Sequence, residues 1–279
     1  MSSHSTTAVV LRKVDFSETS LVVTLLTRDL GRVSALAKGA YRLKGPFEGS
    51  LDLLSVCRVV LISKSGETLD LLTESKLRRR FRGADRCLDR LHAGFYVAEL
   101  LRMAIDDDDP HTELFDLTLA ALGQIDGVGP IAATLLAFEA QLLRHLGQAP
   151  ATTSCVICGR ERPAAPPNAN DDPDSNRQPR LAFSIEGGGV VCRSCRAGEA
   201  GLVSVSHQAL ESLGELTKAW IDQPASTELI RQRFEDAITR PSGIIIDELR
   251  ELLSRILVRL LGRAPRMQPY VRALTTEKD

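Results

Sequence analysis

Residues 6–37 read TTAVVLRKVDFSETSLVVTLLTRDLGRVSALA, and the fold assignment starts from this stretch. It holds three β-rich runs, Thr6 to Val14, Leu21 to Thr27 and Arg32 to Ala37. Arg28-Asp29-Leu30-Gly31 forms the turn between the last two. Two further runs, Val56 to Ser63 and Thr68 to Thr73, flank Lys64-Ser65-Gly66-Glu67. Five short strands within about 75 residues suit a small closed barrel better than a sandwich. Lys38 to Gly49, with three glycines and Pro46, reads as a long loop between the third and fourth strands.

Beyond this region the period changes. Leu88, Leu91, Phe95, Ala98 and Leu101 recur at three- and four-residue steps, which predicts a helix. Thr112 caps a second helix running to about Ile125, and Pro130 opens a third that ends near Gly147. Leu135, Phe138, Leu142 and His145 share one face of that helix, so His145 reads as a packed or rim histidine. Helices resume after Ser206, an N-cap residue, again from about Thr227, and finally from Pro241 to Gly262. The chain therefore reads as an α+β multidomain protein. Residues 1–78 form the barrel and 79–279 a mostly α-helical domain, interrupted at 150–200 by a cysteine-bearing module. Within that module, residues 163–180 carry five prolines among Asn and Asp and read as a disordered surface insertion.

The chain has 279 residues, of which 43% are hydrophobic and 25% charged, the profile of a globular protein with a real core. No apolar run approaches the ~20 residues of a membrane helix. The polar start, Met1 to Thr7, lacks the apolar centre of a signal peptide. A cytoplasmic protein without membrane contact is expected. The net charge of −1 conceals segregation: residues 1–80 carry 13 Lys/Arg against 8 Asp/Glu, and residues 106–147 carry 8 acids against one base. Residues 250–272 carry 6 Arg against Glu251. Basic segments of this kind point to a polyanionic partner.

Four of the six cysteines form two Cys-x-x-Cys pairs, Cys155/Cys158 and Cys192/Cys195. Two intervening residues let both thiols of a pair turn toward one ion, and two pairs supply the tetrahedral sulfur set preferred by Zn²⁺. Gly159 can supply the positive φ that closes the first knuckle. The gap between the pairs exceeds the usual ~15–20 residues. The insertion accounts for the excess, because closure entropy grows slowly with loop length. Leu181 to Ile185, Glu186-Gly187-Gly188-Gly189 and Val190-Val191 form a hairpin that delivers Cys192, as in a zinc ribbon. Four thiolates leave no open position for water, so one structural Zn²⁺ is expected. Cys57 and Cys87 read as buried, inert thiols.

No phosphate-loop, H-E-x-x-H or G-x-S-x-G motif occurs. A zinc deaminase is excluded because Thr153-Ser154, not an H-x-E with proline, precedes Cys155. Asp106 to Asp109 reads as a solvated loop at a helix end, and the five histidines are scattered. No catalytic centre is read, and an enzyme is not expected. Arg28, Arg32, Lys38, Arg42 and Lys44 fall within 17 residues around the third strand and its loop, with Asp29 the lone acid. On a small barrel they line a groove for phosphates and are the candidate DNA-binding residues. Phe16, Tyr41 and Phe47 are the few aromatics nearby.

The run Ala8-Val9-Val10-Leu11-Arg12, then Ser17-Glu18-Thr19-Ser20, Leu25-Leu26-Thr27, Gly31 and Ala37-Lys38-Gly39-Ala40 resembles, in order and spacing, the opening of the bacterial recombination mediator family RecO. The resemblance extends over nearly the whole chain. It implies an OB-fold N-terminal domain that binds single- and double-stranded DNA and anneals complementary strands. It implies loading of RecA onto DNA coated by single-stranded DNA-binding protein, with RecR as partner and RecF in the same pathway. It also implies binding of that coating protein's acidic C-terminal tail by the helical region, and action at the nucleoid. Two points depart from the family pattern or vary within it. Tyr41 and Gly45 interrupt the basic stretch after the Lys-Gly box, and some members lack the zinc cysteines that this chain keeps. The rival reading is a zinc-ribbon adaptor for RNA or transcription complexes, with no annealing activity.

Overall fold

The computed structural model describes residues 2–42, 45–47, 49–63, 69–163, 180–218, 226–272 and 274. The proline-rich insertion, apart from Pro163 and Arg180, lies outside them. The chain forms two compact units, residues 1–129 with 265–271, and residues 130–264 with 272–279.

The first unit opens with β1 (Ser2–Ser17), β2 (Ser20–Thr27), β3 (Arg32–Ala37), β4 (Val56–Ser63) and β5 (Asp70–Arg79). They close into a barrel of order β1-β2-β3-β5-β4, antiparallel except for the parallel β3–β5 pair. This is the five-stranded OB-fold, and closure removes the open edges a small sheet otherwise presents. The β-rich runs become strands with alternating faces: in β3, Val33, Ala35 and Ala37 point inward while Arg32, Ser34 and Leu36 are half-exposed. Ala8, Val10, Val23, Leu25, Val59, Leu61 and Leu72 complete the interior, and Phe47 and Leu51 from the long loop plug it.

Two strands are longer than the sequence pattern predicts. β1 starts at Ser2 because Ser2 to Thr6 continue the ladder with β4. β5 runs to Arg79 because backbone pairing with β4 continues through Lys76 and Leu77, although apolar alternation has ended.

Helices α1 (Gly83–Arg86), α2 (Leu88–Ala104) and α3 (Thr112–Asp126) complete this unit with α8 (Gln268–Arg272). α2 packs on β1 and α3. A side chain at Gly94 would collide with Leu54 and Phe81, so glycine sets how closely α2 approaches the barrel. Arg90 donates to the carbonyls of Gln124, Ile125 and Gly129, satisfying acceptors at the end of α3. The buried Glu99 accepts from the backbone N–H groups of Arg266 (2.9 Å) and Met267 (2.8 Å), just ahead of α8.

In the second unit α4 (Ile131–His145) is buried on every face from Ile131 to Leu143. It packs against α5 (His207–Leu216), α6 (Thr227–Thr239) and α7 (Gly243–Leu261). An all-round apolar helix of this kind belongs at the centre of a bundle. Its buried Gln141 donates to the carbonyls of Leu216 and Lys218 at the end of α5. Ser206 and Ser226 cap α5 and α6 by accepting from Ala209 and Leu229. Gly147 and Gly262 end α4 and α7 at positive φ. His145 is half-buried at the rim of α4. A three-stranded sheet of order β7-β6-β8 joins β6 (Arg180–Ser184), β7 (Gly189–Val191) and β8 (Leu202–Ser206). Among the described residues, no helix is long and apolar enough to cross a membrane.

Candidate nucleic-acid surface and metal centre

The four described candidate cations separate into two groups at opposite ends of β3, roughly 20 Å apart for six residues at ~3.3 Å each. Arg28 and Arg32 bracket the β2–β3 turn. The Arg28 guanidinium donates to Asp116 on α3 at 2.9 Å, and the Asp116 side chain is only 1% exposed. Arg32, 19% exposed, donates to Asp107 at 2.7 Å and to the carbonyl of Arg102 at the end of α2. Residues 107–109 run beside the start of β3, where the Asp108 N–H donates to the Arg32 carbonyl. Gly31 makes this approach possible: its φ is +74°, and a Cβ there would stand 2.3 Å from the Asp109 carbonyl oxygen. Thr27 locks the turn by accepting from the Leu30 N–H and donating to the Gly31 carbonyl. Part of the charge segregation seen in the sequence is thus satisfied inside the unit, with Asp107 and Asp116 answering the basic turn.

At the other end of β3, Lys38 and Arg42 are exposed and form no ion pair with a described residue. Lys44 lies outside the described residues. Between them Tyr41 is 54% exposed, and its hydroxyl donates to Asp15 at 2.6 Å, which pushes the phenol pKa up. The Tyr41 N–H donates to the Thr19 carbonyl, so this turn lies against the β1–β2 turn. Phe16, in that neighbouring segment, is 63% exposed. Exposed ring faces beside unpaired cations can stack on bases and neutralise phosphates. Phe47, the third aromatic named from the sequence, is buried in the barrel core.

Three of the C-terminal arginines share two acidic partners. Arg255 and Arg272 pair with Glu251, and Arg259 pairs with Glu186 at 2.8 Å.

The cysteine pairs converge. The Sγ atoms of Cys155, Cys158, Cys192 and Cys195 all lie within 4.8 Å of one another. The first pair sits on a hairpin, with Cys155 N–H donating to the Arg160 carbonyl and Arg162 N–H to the Thr153 carbonyl. Val156 donates to Val190, which sets this hairpin beside β7, and β7 leads directly into Cys192 and a single 3-10 turn, Arg193–Cys195. Gly159 closes the first knuckle at φ +71°, as its position predicts.

A tetrahedral Zn–S distance of ~2.3 Å implies sulfur–sulfur edges of about 3.8 Å. The Cys158–Cys192 edge is 3.7 Å, and all four cysteines are free of disulfides. Hydrogen bonds from the backbone N–H groups of Cys192 and Cys158 bring the Cys155 thiol down to about 6. The neighbouring Cys192 and Cys158 sulfurs push Cys195 up to about 12. Four sulfurs this close resist a common negative charge, and a dication among them relieves that repulsion. The four residues fit a metal ion, and β8 completes the sheet that supports them.

Of the two remaining cysteines, Cys57 is buried and donates to the Ser50 carbonyl. Cys87 is exposed at the start of α2, contrary to the expectation of burial, because the apolar stripe of α2 begins only beyond it.

The family comparison follows this division. Residues 1–81 match the model described as recombination protein O N terminal, and residues 86–267 match recombination protein O C terminal. The chain belongs to the RecO family. It is 57% identical over 277 residues to the DNA repair protein RecO of Rhodopirellula baltica, covering 95% of this chain and 97% of that one. It is 33% identical to the RecO of Anaeromyxobacter dehalogenans, over 92% of this chain and 91% of that one. It is 34% identical to the RecO of Myxococcus xanthus, over 74% and 79%. RecO membership places the chain among DNA repair and recombination proteins.

Proposed function

We propose that this RecO-family chain binds single- and double-stranded DNA through a domain spanning residues 1–78 and anneals complementary strands. On this reading it also helps load RecA onto DNA coated by single-stranded DNA-binding protein, with RecR as its partner in the pathway of RecF. The helical domain, 79–279, takes the acidic C-terminal tail of the coating protein. The site of action is the cytoplasmic nucleoid. The observation that carries the reading is one exposed turn holding Lys38, Tyr41 and Arg42, in which neither cation is paired with an acid among the described residues.

Annealing needs two like-charged strands brought together. Lys38 and Arg42, with Lys44, neutralise phosphates, and Tyr41 and Phe16 offer ring faces to bases. Arg28 and Arg32 serve the same surface indirectly, by fixing the β2–β3 turn to α2 and α3. No bond in the DNA has to be made or broken for this work. One Zn²⁺ held by Cys155, Cys158, Cys192 and Cys195 supplies a structural cross-link.

The test is annealing of complementary strands precoated with single-stranded DNA-binding protein, without nucleotide, over a salt series. Three phosphate contacts give a slope near −2, so affinity for a single strand falls about 20-fold over a fourfold rise in salt. Annealing that declines in step with salt supports the reading. No annealing at any salt by the folded, zinc-loaded protein overturns it in favour of the zinc-ribbon adaptor for RNA.

A further inference from the structure

The four sulfurs of the metal centre are not equally placed. Cys155 is 3% exposed, and its Sγ accepts from the Cys192 N–H at 3.4 Å. Cys158 stands at the open tip of the first knuckle. Ile157, Cys158, Gly159 and Arg160 are all exposed, and a Cβ added to Gly159 would meet no atom within 4 Å. Cys192, half-buried just after β7, belongs to the other knuckle, and its Sγ lies 3.7 Å from that of Cys158. An exposed sulfur and a half-buried one therefore face each other across the two knuckles. Two exposed cations flank them. Arg160 follows Cys158 by two positions and donates to the Ser194 Oγ at 3.5 Å, reaching the second knuckle. Arg193 directly follows Cys192. Neither forms an ion pair with a described residue. No acid stands between Cys155 and Arg160 or between Cys192 and Arg196. Cations beside a thiolate favour the anionic sulfur and the anionic products of its oxidation.

We propose that Cys158 is a site of oxidative modification by peroxides, and that Cys192 resolves it as a disulfide at the expense of the bound metal. The inference rests on the structural-zinc reading and adds a redox-controlled state to it. The chemistry balances in two displacements. The Cys158 thiolate attacks one oxygen of hydrogen peroxide, the O–O bond breaks, and a sulfenic acid and hydroxide result. The Cys192 thiolate then attacks that sulfur, forming the S–S bond and expelling a second hydroxide. The two sulfurs together lose two electrons, and the peroxide gains them. Cys155 and Cys195 are then too few to complete a tetrahedral sulfur set, and both take up protons as the ion is released. Burial makes Cys155 a poor target for the peroxide, so the disulfide spans the two knuckles and does not close within the first pair. The new bond ties the first hairpin to the end of β7 in place of the metal, and a dithiol reverses it.

The test treats the full zinc-loaded chain with hydrogen peroxide, in a Cys87→Ser background that removes the exposed thiol outside the centre. A chromophoric chelator reads zinc release, and peptide mass mapping without reductant reads the disulfide. Zinc is expected to leave in step with a Cys158–Cys192 cross-link, and dithiothreitol with added zinc is expected to restore the loaded chain. Cys158→His keeps a ligand for the ion but can form neither sulfenic acid nor disulfide, so release is expected to slow about tenfold. Retention of zinc by the peroxide-treated chain overturns the proposal. So does a disulfide confined to Cys155–Cys158, or a sulfinic acid at Cys158 in place of a disulfide. An unchanged release rate in a zinc-loaded Cys158→His variant overturns it as well. If that variant does not load zinc, the cross-link mapped in the four-cysteine centre decides. If the chain holds zinc that peroxide does not release, the structural-zinc reading stands alone. If the chain holds no zinc, both fail together.

Discussion

The barrel and the cysteine module are both small sheets, and they hold together by different means. The barrel closes on itself, and fourteen buried residues fill or cap its interior. The module has three strands of three to five residues, and only the short segment from Ala151 to Val156 pairs with the outer edge of β7. Phe183, Val190, Val191 and Val205 are the main apolar side chains it buries. A sheet of that size cannot offset its own ordering entropy by burial, so a staple is needed, and the converging thiols supply it. The barrel can therefore leave cations unpaired on its surface, because its stability comes from elsewhere.

The sharpest way to break the comparison is to remove the staple. Chelation, or Cys158→Ser, is expected to unfold the module and leave the barrel intact, since a structural zinc contributes on the order of 10 kcal/mol. Hydrogen exchange should show residues 150–206 losing protection while β1 to β5 keep theirs. Equal loss in both regions would mean that the barrel depends on the module.

Arg28→Ala attacks the barrel instead. It strips the partner from a carboxylate that is 1% exposed, and loss of about 3 kcal/mol is expected. Denaturant unfolding measures it. Asp116→Asn with Arg28→Ala should recover part of the loss, because the buried carboxylate charge that Arg28 answers is gone.

Acid should loosen the module before the barrel. Burial and the Arg162 charge hold His207 below its ordinary 6.5, so protonation favours the unfolded chain as pH falls through that value. Backbone N–H groups favour the Cys155 thiolate that a metal needs, and protons compete with the ion for that sulfur as pH falls. Both signs agree. Limited proteolysis at pH 8 and pH 5.5 should show cleavage within 150–206 rising at the lower pH, with residues 2–63 as internal reference.

Much of this was legible in the sequence because local rules govern it. β-rich runs bounded by turn residues located the five strands, and spacing alone assembled the four cysteines. Ser206, Gly147 and Gly262 marked helix ends through cap chemistry. Long-range pairing stayed hidden. The partner of Arg28 lies 88 residues away and that of Arg32 lies 75 away, so cations read as a single basic stretch divide into a clamp and a free surface. The second half of β5 was missed because a ladder of backbone bonds, not apolar alternation, extends it. β8 was missed because Leu202–Ser206 is short, polar at alternate positions and needs β6 to exist.

The smallest effect on stability carries the central claim, that the unpaired cations at the far end of β3 serve DNA. The measurement is the salt slope of single-strand binding in wild type, Arg28→Ala, and Lys38→Ala with Arg42→Ala, each melted in parallel. The double variant should keep its stability within about 0.5 kcal/mol and lose about 1.4 from the slope. Arg28→Ala should lose stability and keep its slope while folded. An unchanged slope in the double variant, or a slope lost only with Arg28, would contradict the account.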